Sequence, residues 1–460
     1  MNNRRVAVIG AGITGLTAAY RLQSGKVPVD VYEASPRLGG SIRTLEMGSC
    51  KVDVGPSGVL ASRESVVKLV HDLNLSHDWV QASNASNKRF IYYRGELREV
   101  PTSPPKLLTS GWIPWSAKWR IMTEFFRRTH THDHATDLLA DFIERRFGRF
   151  VADVMVDAMV SGIHGAPARL LEAQAAFPIL PELEREHGTI IGGMVKLMRA
   201  RRRQIPQNTA RLKGMLNLSG GFESLIAALA QDLSNIRLNE EVRAVIKEDA
   251  HHWNVQSTGG SKSYTDVLLT TTADVASQCL KESNRLLSDA LGQIQYTPLI
   301  NVILHFEERV PTPQGFGYLN PGIEDRSMLG CLFLHHVFPE LIPEPNTVFR
   351  AFLGGQRAKA QMEYDDEMLV SLAKDELEDV LNLKLPHPKE VKVLRWPTSV
   401  AFYERGTGKR WASIDHLLKQ EPGLQLGGNW YQGVSVADCI SRGETLARNI
   451  MEPDAPSTKA

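Results

Sequence analysis

Long apolar runs are missing from this sequence of 460 residues. No stretch approaches the roughly 18 consecutive apolar residues of a membrane-spanning helix. Runs such as "PLINVILHF" have the length of buried strands. No basic-then-apolar leader opens the chain, because its first apolar run is spent on a strand, so a cytoplasmic protein is expected. Cysteine is scarce: Cys50, Cys279, Cys331 and Cys439 form no C-x-x-C pair and no metal-ligand spacing. That argues against a disulfide framework or a structural zinc and predicts reduced thiols. An excess of either charge is missing as well. Lys and Arg number 53 against 52 Asp and Glu, a net charge of +1, which argues against a nucleic-acid binder. No repeat of fixed period occurs. No Ser-His-Asp, Cys-His or metal-ligand arrangement stands out, so no metal and no general base is assigned. His335–His336 reads as a strand pair whose neighbours face opposite sides, which speaks against a shared metal.

What remains is an ordinary globular composition, 42% hydrophobic and 23% charged. Its length exceeds what one core usually holds, so two or three domains are expected. Residues 1 to about 80 read as strand, helix, strand and a further helix, "SVVKLVHDLNL". From Pro101 to about Arg203 the chain reads as helical and rich in tryptophan and arginine. Beyond it come a Gly-Gly turn into a helix, "LSGGFESLIAALAQDL", and small-sheet strands in "VRAVIKED", "HWNVQST" and "TDVLLTTT". Strands then alternate with helices from about 290 to 395, and "LQLGGNWYQGVSVADCISRGETLARNI" closes the chain as strand, glycine turn and helix.

The most specific local signal is "RRVAVIGAGITGLTAAYRL". The apolar run Val6–Ile9 predicts a buried parallel strand, and Ile13, Leu16, Thr17 and Tyr20 recur at helical spacing. Gly10-Ala11-Gly12-Ile13-Thr14-Gly15 joins them. In such a turn the first glycine bends the chain, the second lets a pyrophosphate approach the backbone, and the third lets helix and strand pack closely. The helix N-terminus then attracts the phosphates. "VDVYE" predicts a second strand ending in Glu33, eighteen residues after Gly15, where a ribose-binding acid is expected. An acid there favours an unphosphorylated ribose, hence FAD or NAD.

The next residues choose between them. "EASPRLGGSIRT" supplies Glu33, Ala34, Arg37, Gly39, Gly40 and Ser41. A fixed cation and two bare backbone positions suit a bound diphosphate. Glu-x-x-x-Arg-x-Gly-Gly resembles the second signature of the flavin amine oxidase superfamily, which implies non-covalent FAD. Gly55-Pro56-Ser57-Gly58 resembles that superfamily's stretch beside the isoalloxazine ring, and the C-terminal glycine turn resembles the segment that closes its flavin site. The implied fold is α/β: a discontinuous Rossmann-like FAD-binding domain with an inserted α+β substrate domain and a helical membrane-associating domain. The expected boundaries are 1–82 with 211–285 and 396–455 for FAD, 86–205 for the helical domain, 83–98 with 286–395 for substrate, and a disordered tail at 456–460.

Within the superfamily the chain resembles the protoporphyrinogen oxidase family over nearly its whole length. The motifs are "NKRFIYYRGELREVP", "VSGIHGAPARLLEAQAAFPILPELEREHGTII", "PQGFGYLNP" and "GNWYQGVSVADCI". Trp430 and Ser435 depart from the C-terminal signature, and Thr272 stands where a proline is common. "RWPTSVAFYERGTGKRW" keeps Arg395-Trp396-Pro397 without the usual Pro-Gln-Tyr and Gly-His, and Ser41 replaces a larger or basic residue. The resemblance implies oxidation of protoporphyrinogen IX to protoporphyrin IX by oxygen in haem synthesis, through three two-electron transfers to FAD with release of hydrogen peroxide. It implies Arg89 as propionate partner, Phe316, Leu319, Leu332 and Phe352 as walls for the macrocycle, and Gly162 as a close backbone approach. It also implies Val242 at the adenine, Gly428 in the closing turn, and Trp396, Val434, Ser435 and Val436 around the flavin ring. Read without the resemblance, Arg89 is a surface arginine on an edge strand, and the apolar residues are core.

Three alternatives stay open: coproporphyrinogen III oxidation to coproporphyrin III, another oxidase of the superfamily, and a non-catalytic binder on the same fold. Four propionates on the coproporphyrinogen would call for extra cations at the cleft. "SGWIPWSAKWRIMTEFFRR" places Trp112, Trp115, Trp119, Phe125 and Phe126 among basic residues, and "KLMRARRR" adds Arg199, Arg201, Arg202 and Arg203. That mixture suits a bilayer interface as well as a buried aromatic helix with a solvated basic flank. The expectation is peripheral attachment to the cytoplasmic face of a membrane. The resemblance is compatible with a homodimer and with hand-over of product to a ferrochelatase.

Overall fold

Val6–Ile9 is buried at all four positions, as an apolar run in the middle of a parallel sheet must be. In the computed structural model, which describes residues 4–127, 136–204 and 212–452, this strand is central to a five-stranded sheet. Its neighbours are Val29–Tyr32, then Ile236–Arg237 on one side, and Asp266–Leu269, then Leu424–Leu426 on the other, all parallel. This order reverses beside the first strand, and ligands of open α/β sheets bind at such a reversal, beyond the strands' C-terminal ends. Helices Ile13–Ser24 and Val436–Met451 lie against each other; a Cβ on Gly443 would stand 2.5 Å from the Thr14 carbonyl oxygen. A three-stranded antiparallel sheet follows in Val242–Lys247, Trp253–Ser257 and Gly260–Tyr264. Its last strand, polar and glycine-led, is absent from the sequence reading. These elements belong to a unit made of residues 1–81, 213–295 and 409–460.

Residues 82–212 and 296–408 form a second unit. Its seven-stranded sheet runs in the order Glu390–Ala401, Tyr296–Phe306, Thr347–Gly354, Met328–Phe333, Gly317–Leu319, Phe90–Tyr93, Glu96–Glu99. Alternation divides the sheet into two faces. Ile300, Val302, Tyr318, Phe333, Phe349 and Ala351 pack with Leu369, Ala373 and Leu377 of helix Asp366–Leu381. Glu376 of that helix is buried; it accepts from Asn320 Nδ2 at 2.7 Å and Met328 N at 3.1 Å, and burial raises its pKa. The alternate residues make the opposite face. Leu319 stands across from Gly330 and Ile91, Gly330 from Phe352, and Phe352 from Asn301; Leu332 and Ile303 flank Arg350.

Helices of the same unit bury a charged network. Glu124 caps helix Ile190–Gln204, accepting from Ile190 N at 2.9 Å and Ile191 N at 3.1 Å, and pairs with Arg146. Arg146 reaches Glu184 at 3.3 Å, and Arg145 holds Glu184 at 2.7 and 3.1 Å. A π-helical turn, Val151–Val156, runs into helix Asp157–His164. Asp157 fixes that helix by accepting from Ala168 N at 2.9 Å and Gly322 N at 2.8 Å.

Two expectations need correction. Trp112 is not part of an exposed aromatic surface: its ring packs with Tyr93 and Phe150, and its Nε1 donates to Glu99 O at 3.1 Å. His335 and His336 are not on a strand. The chain turns into a short helix, Leu334–Val337, directly after strand Met328–Phe333, so the rings lie 4.2 Å apart instead of facing opposite ways. The side chains of Arg201, Arg202 and Arg203 and the tail 456–460 lie outside the described residues.

His164 ends its helix sandwiched by the rings of Phe177 and Tyr403, and burial lowers its pKa to about 4 from 6.5. The fold therefore prefers the neutral imidazole. Its contribution is complete above pH 6.5 and is lost as pH falls toward 4, because the unfolded chain takes up the proton first. Between pH 7 and 5 this group should remove about 2 kcal/mol of stability. Urea midpoints at the two pH values should differ less in His164→Phe than in the parent; an unchanged difference would contradict this assignment.

Candidate active site

The glycine turn is closed toward the sheet and open on its other side. The chain leaves Ile9 through Gly10 at φ +98°, with Gly10 N donating to Tyr32 O at 2.8 Å. A Cβ on Gly15 would sit 2.1 Å from the Gly10 carbonyl oxygen and 2.5 Å from Thr270 Oγ1, so helix and turn touch backbone to backbone. A Cβ on Gly12 would meet nothing within 4 Å. Gly12 also N-caps helix Ile13–Ser24 with no side-chain cap, which leaves a helix N-terminus facing an open position. Thr270, overlooked in the sequence, locks the turn: its Oγ1 donates to Gly10 O at 2.8 Å. Its signal was a hydroxyl directly after the strand "DVLL".

The second signature folds onto the first. Gly39 N donates to Ala11 O at 2.8 Å. Glu33 accepts from Ala11 N and Ser35 N, both at 2.9 Å, so its carboxylate braces the turn and keeps lone pairs for a ribose hydroxyl. Arg37 donates to Leu38 O at 2.9 Å and Ile42 O at 3.2 Å, also engages Gly40 O, and lies 3.8 Å from Glu223. Its guanidinium thus shapes the loop. Ala34, Gly40 and Ser41 are exposed beside it. Gly55–Gly58 is held from below. Asp53, buried, accepts from Thr44 Oγ1 at 2.6 Å, Phe222 N at 3.0 Å and Asn217 Nδ2 at 2.6 Å, while the same Asn217 amide donates to Ser57 O at 3.0 Å.

The C-terminal turn explains two departures. Trp430 is fully buried and donates to Thr271 O at 3.0 Å, so the large residue fills a site behind the strand ends. Ser435 N-caps helix Val436–Met451 in a reciprocal box with Asp438. Gly428, Val434, Ser435 and Val436 therefore precede or open a helix in the same unit as the glycine turn. Val242 opens the three-stranded sheet of that unit. Trp396 belongs to the second unit, on an edge strand opposite Leu299. Its Nε1 is buried with no partner among the described residues. The residues of the first unit fit a dinucleotide diphosphate: an open backbone approach, an uncapped helix end and a braced acid.

In the second unit Leu319, Leu332 and Phe352 share the sheet face opposite helix Asp366–Leu381. Gly162 joins them, since a Cβ there would strike Leu319 Cδ2 at 2.7 Å. Arg89 precedes strand Phe90–Tyr93, is exposed, and holds its guanidinium 5.4 Å from the centre of the Phe316 ring. No carboxylate among the described residues pairs with it. Arg350 was missed. It is buried two residues before Phe352, its guanidinium 4.8 Å from that ring, where the period of two would have placed it.

A family model described as flavin containing amine oxidoreductase matches residues 13–451. The mitochondrial protoporphyrinogen oxidase of Nicotiana tabacum is 29% identical, over 96% of this chain and 93% of its own. The coproporphyrinogen III oxidase of Staphylococcus aureus is 26% identical, over 97% of this chain and 99% of its own. The crystal structure of a candidate protoporphyrinogen oxidase from Exiguobacterium sp. 255-15 superposes with a TM-score of 0.82 at 24% identity, over 98% of this chain and 99% of that one.

The turn geometry separates two substitutions. Gly12→Val should fold with the parent's circular dichroism yet purify without flavin, because its side chain enters only the open position. Gly15→Val should lose the fold, its Cβ having no room. Retention of flavin by Gly12→Val would refute the placement.

Proposed function

The chain belongs to the flavin-containing amine oxidoreductase family and uses FAD, and from that premise we propose that it oxidises a porphyrinogen to the porphyrin in haem biosynthesis. Protoporphyrinogen IX is the favoured substrate and oxygen the final acceptor. Bound FAD supplies a two-electron acceptor that oxygen restores, which three rounds per macrocycle require. The Gly10–Gly15 turn, Glu33, Arg37, Gly39 and Gly40 hold the diphosphate and ribose. Gly55–Gly58, Val242, Gly428 and Val434–Val436 surround the rest of the cofactor. All four cysteines are buried, in keeping with non-covalent attachment.

The observation carrying the substrate assignment is an apolar face of Leu319, Leu332 and Phe352, edged by an arginine without a carboxylate partner among the described residues. Such a face suits a large apolar ring, and a guanidinium suits its propionate. Coproporphyrinogen III, the substrate named for the Staphylococcus aureus relative, is the second reading. Arg350 beside Phe352 is the observation in its favour, since a ring with four carboxylates draws on more cations.

Aerobic turnover of both porphyrinogens, followed by porphyrin fluorescence, decides between them. Arg89→Ala should retain FAD and raise KM for the free acid, with kcat/KM falling about tenfold to a hundredfold. A porphyrinogen diester should be handled alike by both proteins. An equal penalty on the diester would mean that Arg89 does not read a carboxylate.

The proposed location is the cytoplasmic face of a membrane, attached without spanning it. No described helix is long and apolar enough to cross a bilayer. Trp115 is 69%, Trp119 64% and Phe126 81% exposed, with Arg199 exposed on a helix of the same unit. Exposed tryptophans among basic residues favour a bilayer interface. Replacing Trp115, Trp119 and Phe126 by serine should weaken sedimentation with anionic vesicles and leave FAD bound. Unchanged sedimentation would refute the attachment site.

A further inference from the structure

Thr312, His335 and His336 are absorbed by neither half of the site. Thr312 Oγ1 lies 3.0 Å from His335 Nε2 and 2.8 Å from His336 Nε2. His335 Nδ1 lies 3.2 Å from Val348 O. A carbonyl only accepts, so His335 carries its proton on Nδ1 and leaves Nε2 bare. The Thr312 hydroxyl then donates to His335 Nε2 and accepts from His336 Nε2–H. One hydroxyl thus closes a directional chain of three hydrogen bonds. Burial keeps the rings neutral, pushing His335 down to about 3 and lowering His336, with Arg309 adding like charge to both.

This cluster is the common anchor of two segments that meet at Arg89. The first segment, Ser83 to Arg89, begins on the histidine turn: Ser83 N donates to Val337 O at 2.9 Å, and Ser83 Oγ donates to His336 O. The second, Thr312 to Phe316, begins on the histidine rings. Thr312 lies between Pro311 and Pro313, which stiffen it. The two segments converge where Phe316 N donates to Lys88 O at 2.8 Å and the Arg89 guanidinium covers the Phe316 ring. Gly315 is pressed against strand Phe90–Tyr93, a Cβ there falling 2.4 Å from Phe90 Cε2. Arg89 makes no ion pair among the described residues that would fix its position, so what sets it is the segment that carries it.

We propose that the Thr312–His335–His336 cluster is a latch that positions Arg89 and Phe316 for a carboxylate-bearing ligand. Its three residues are positioning residues and touch no substrate. The proposal rests on the reading of Arg89 as the carboxylate partner.

Thr312→Val keeps the side-chain shape and removes the hydroxyl, while Thr312→Ser keeps the hydroxyl. In the FAD-loaded protein, Thr312→Val should speed tryptic cleavage after Lys88 and Arg89 at unchanged flavin content. It should raise KM for the free-acid porphyrinogen about three- to tenfold with kcat within about twofold, and leave the diester unaffected. Thr312→Ser should restore both readouts. Ser83→Ala, which cuts the other segment from the same turn, should reproduce the faster cleavage, so a poorly folding Thr312→Val does not end the test. Unchanged cleavage in these variants would overturn the latch. Faster cleavage with unchanged KM, or an equal rise on the diester, would overturn its positioning role. If the parent oxidises no porphyrinogen, the activity reading fails, and cleavage alone still judges the latch.

Discussion

The contact between Gly15 and the Gly10 carbonyl is the constraint from which the cofactor unit follows. Helix and strand can meet there only without a side chain, and that meeting aims the helix N-terminus past the end of the strand. Everything around the turn keeps it in that shape. Thr270 binds its carbonyl, Glu33 takes the Ala11 amide, and Gly39 donates to Ala11. Arg37 spends its donors on the loop that approaches it. The charged residues of the two signatures thus act largely on protein groups, so that bare backbone is what a diphosphate meets. A half-buried carboxylate held by backbone N–H groups is less mobile than a solvated one, and preorganised dipoles need no rearrangement when a charged group arrives.

The second unit solves a different problem with a sheet that has two unlike faces. One face is covered by helix Asp366–Leu381 and fastened by Glu376, whose neutral form burial favours. The other carries Leu319, Leu332 and Phe352, and presents Arg350 in the same row of side chains. Helix Asp157–His164 reaches this face through Gly162, and Asp157 secures the helix by two backbone amides. A flat apolar wall with cations at defined positions is a suitable surface for a large ring with acidic arms.

Much of this was legible because it depends on local rules. Three glycines between an apolar strand and an amphipathic helix have one economical explanation, and Glu33 and Arg37 follow at short spacing. The strands "LINVILHF" and "TVFRAFLGG" announce themselves by composition. What escaped depends on distant partners. Thr270 meets Gly10 across 260 residues, and its local mark, a hydroxyl directly after a strand, does not tell which carbonyl it binds. Trp112 and Trp115 look alike in sequence, but only Trp112 has Tyr93 and Phe150 beside it. His335 and His336 read as strand because they continue an apolar strand, while a turn of helix at its end brings both rings to one hydroxyl. Arg350 was visible to the period-two rule, yet charge inside an apolar strand drew no attention.

A flavin-dependent oxidation of a porphyrinogen, the function proposed for this chain, requires direct reduction of the bound flavin by the porphyrinogen. The most direct test is anaerobic mixing of the purified FAD-loaded protein with protoporphyrinogen IX, and separately with coproporphyrinogen III, while flavin absorbance and porphyrin fluorescence are followed together. The account predicts loss of flavin absorbance in step with appearance of porphyrin, and return of the absorbance on admitting oxygen. Flavin that stays oxidised with both porphyrinogens would contradict it.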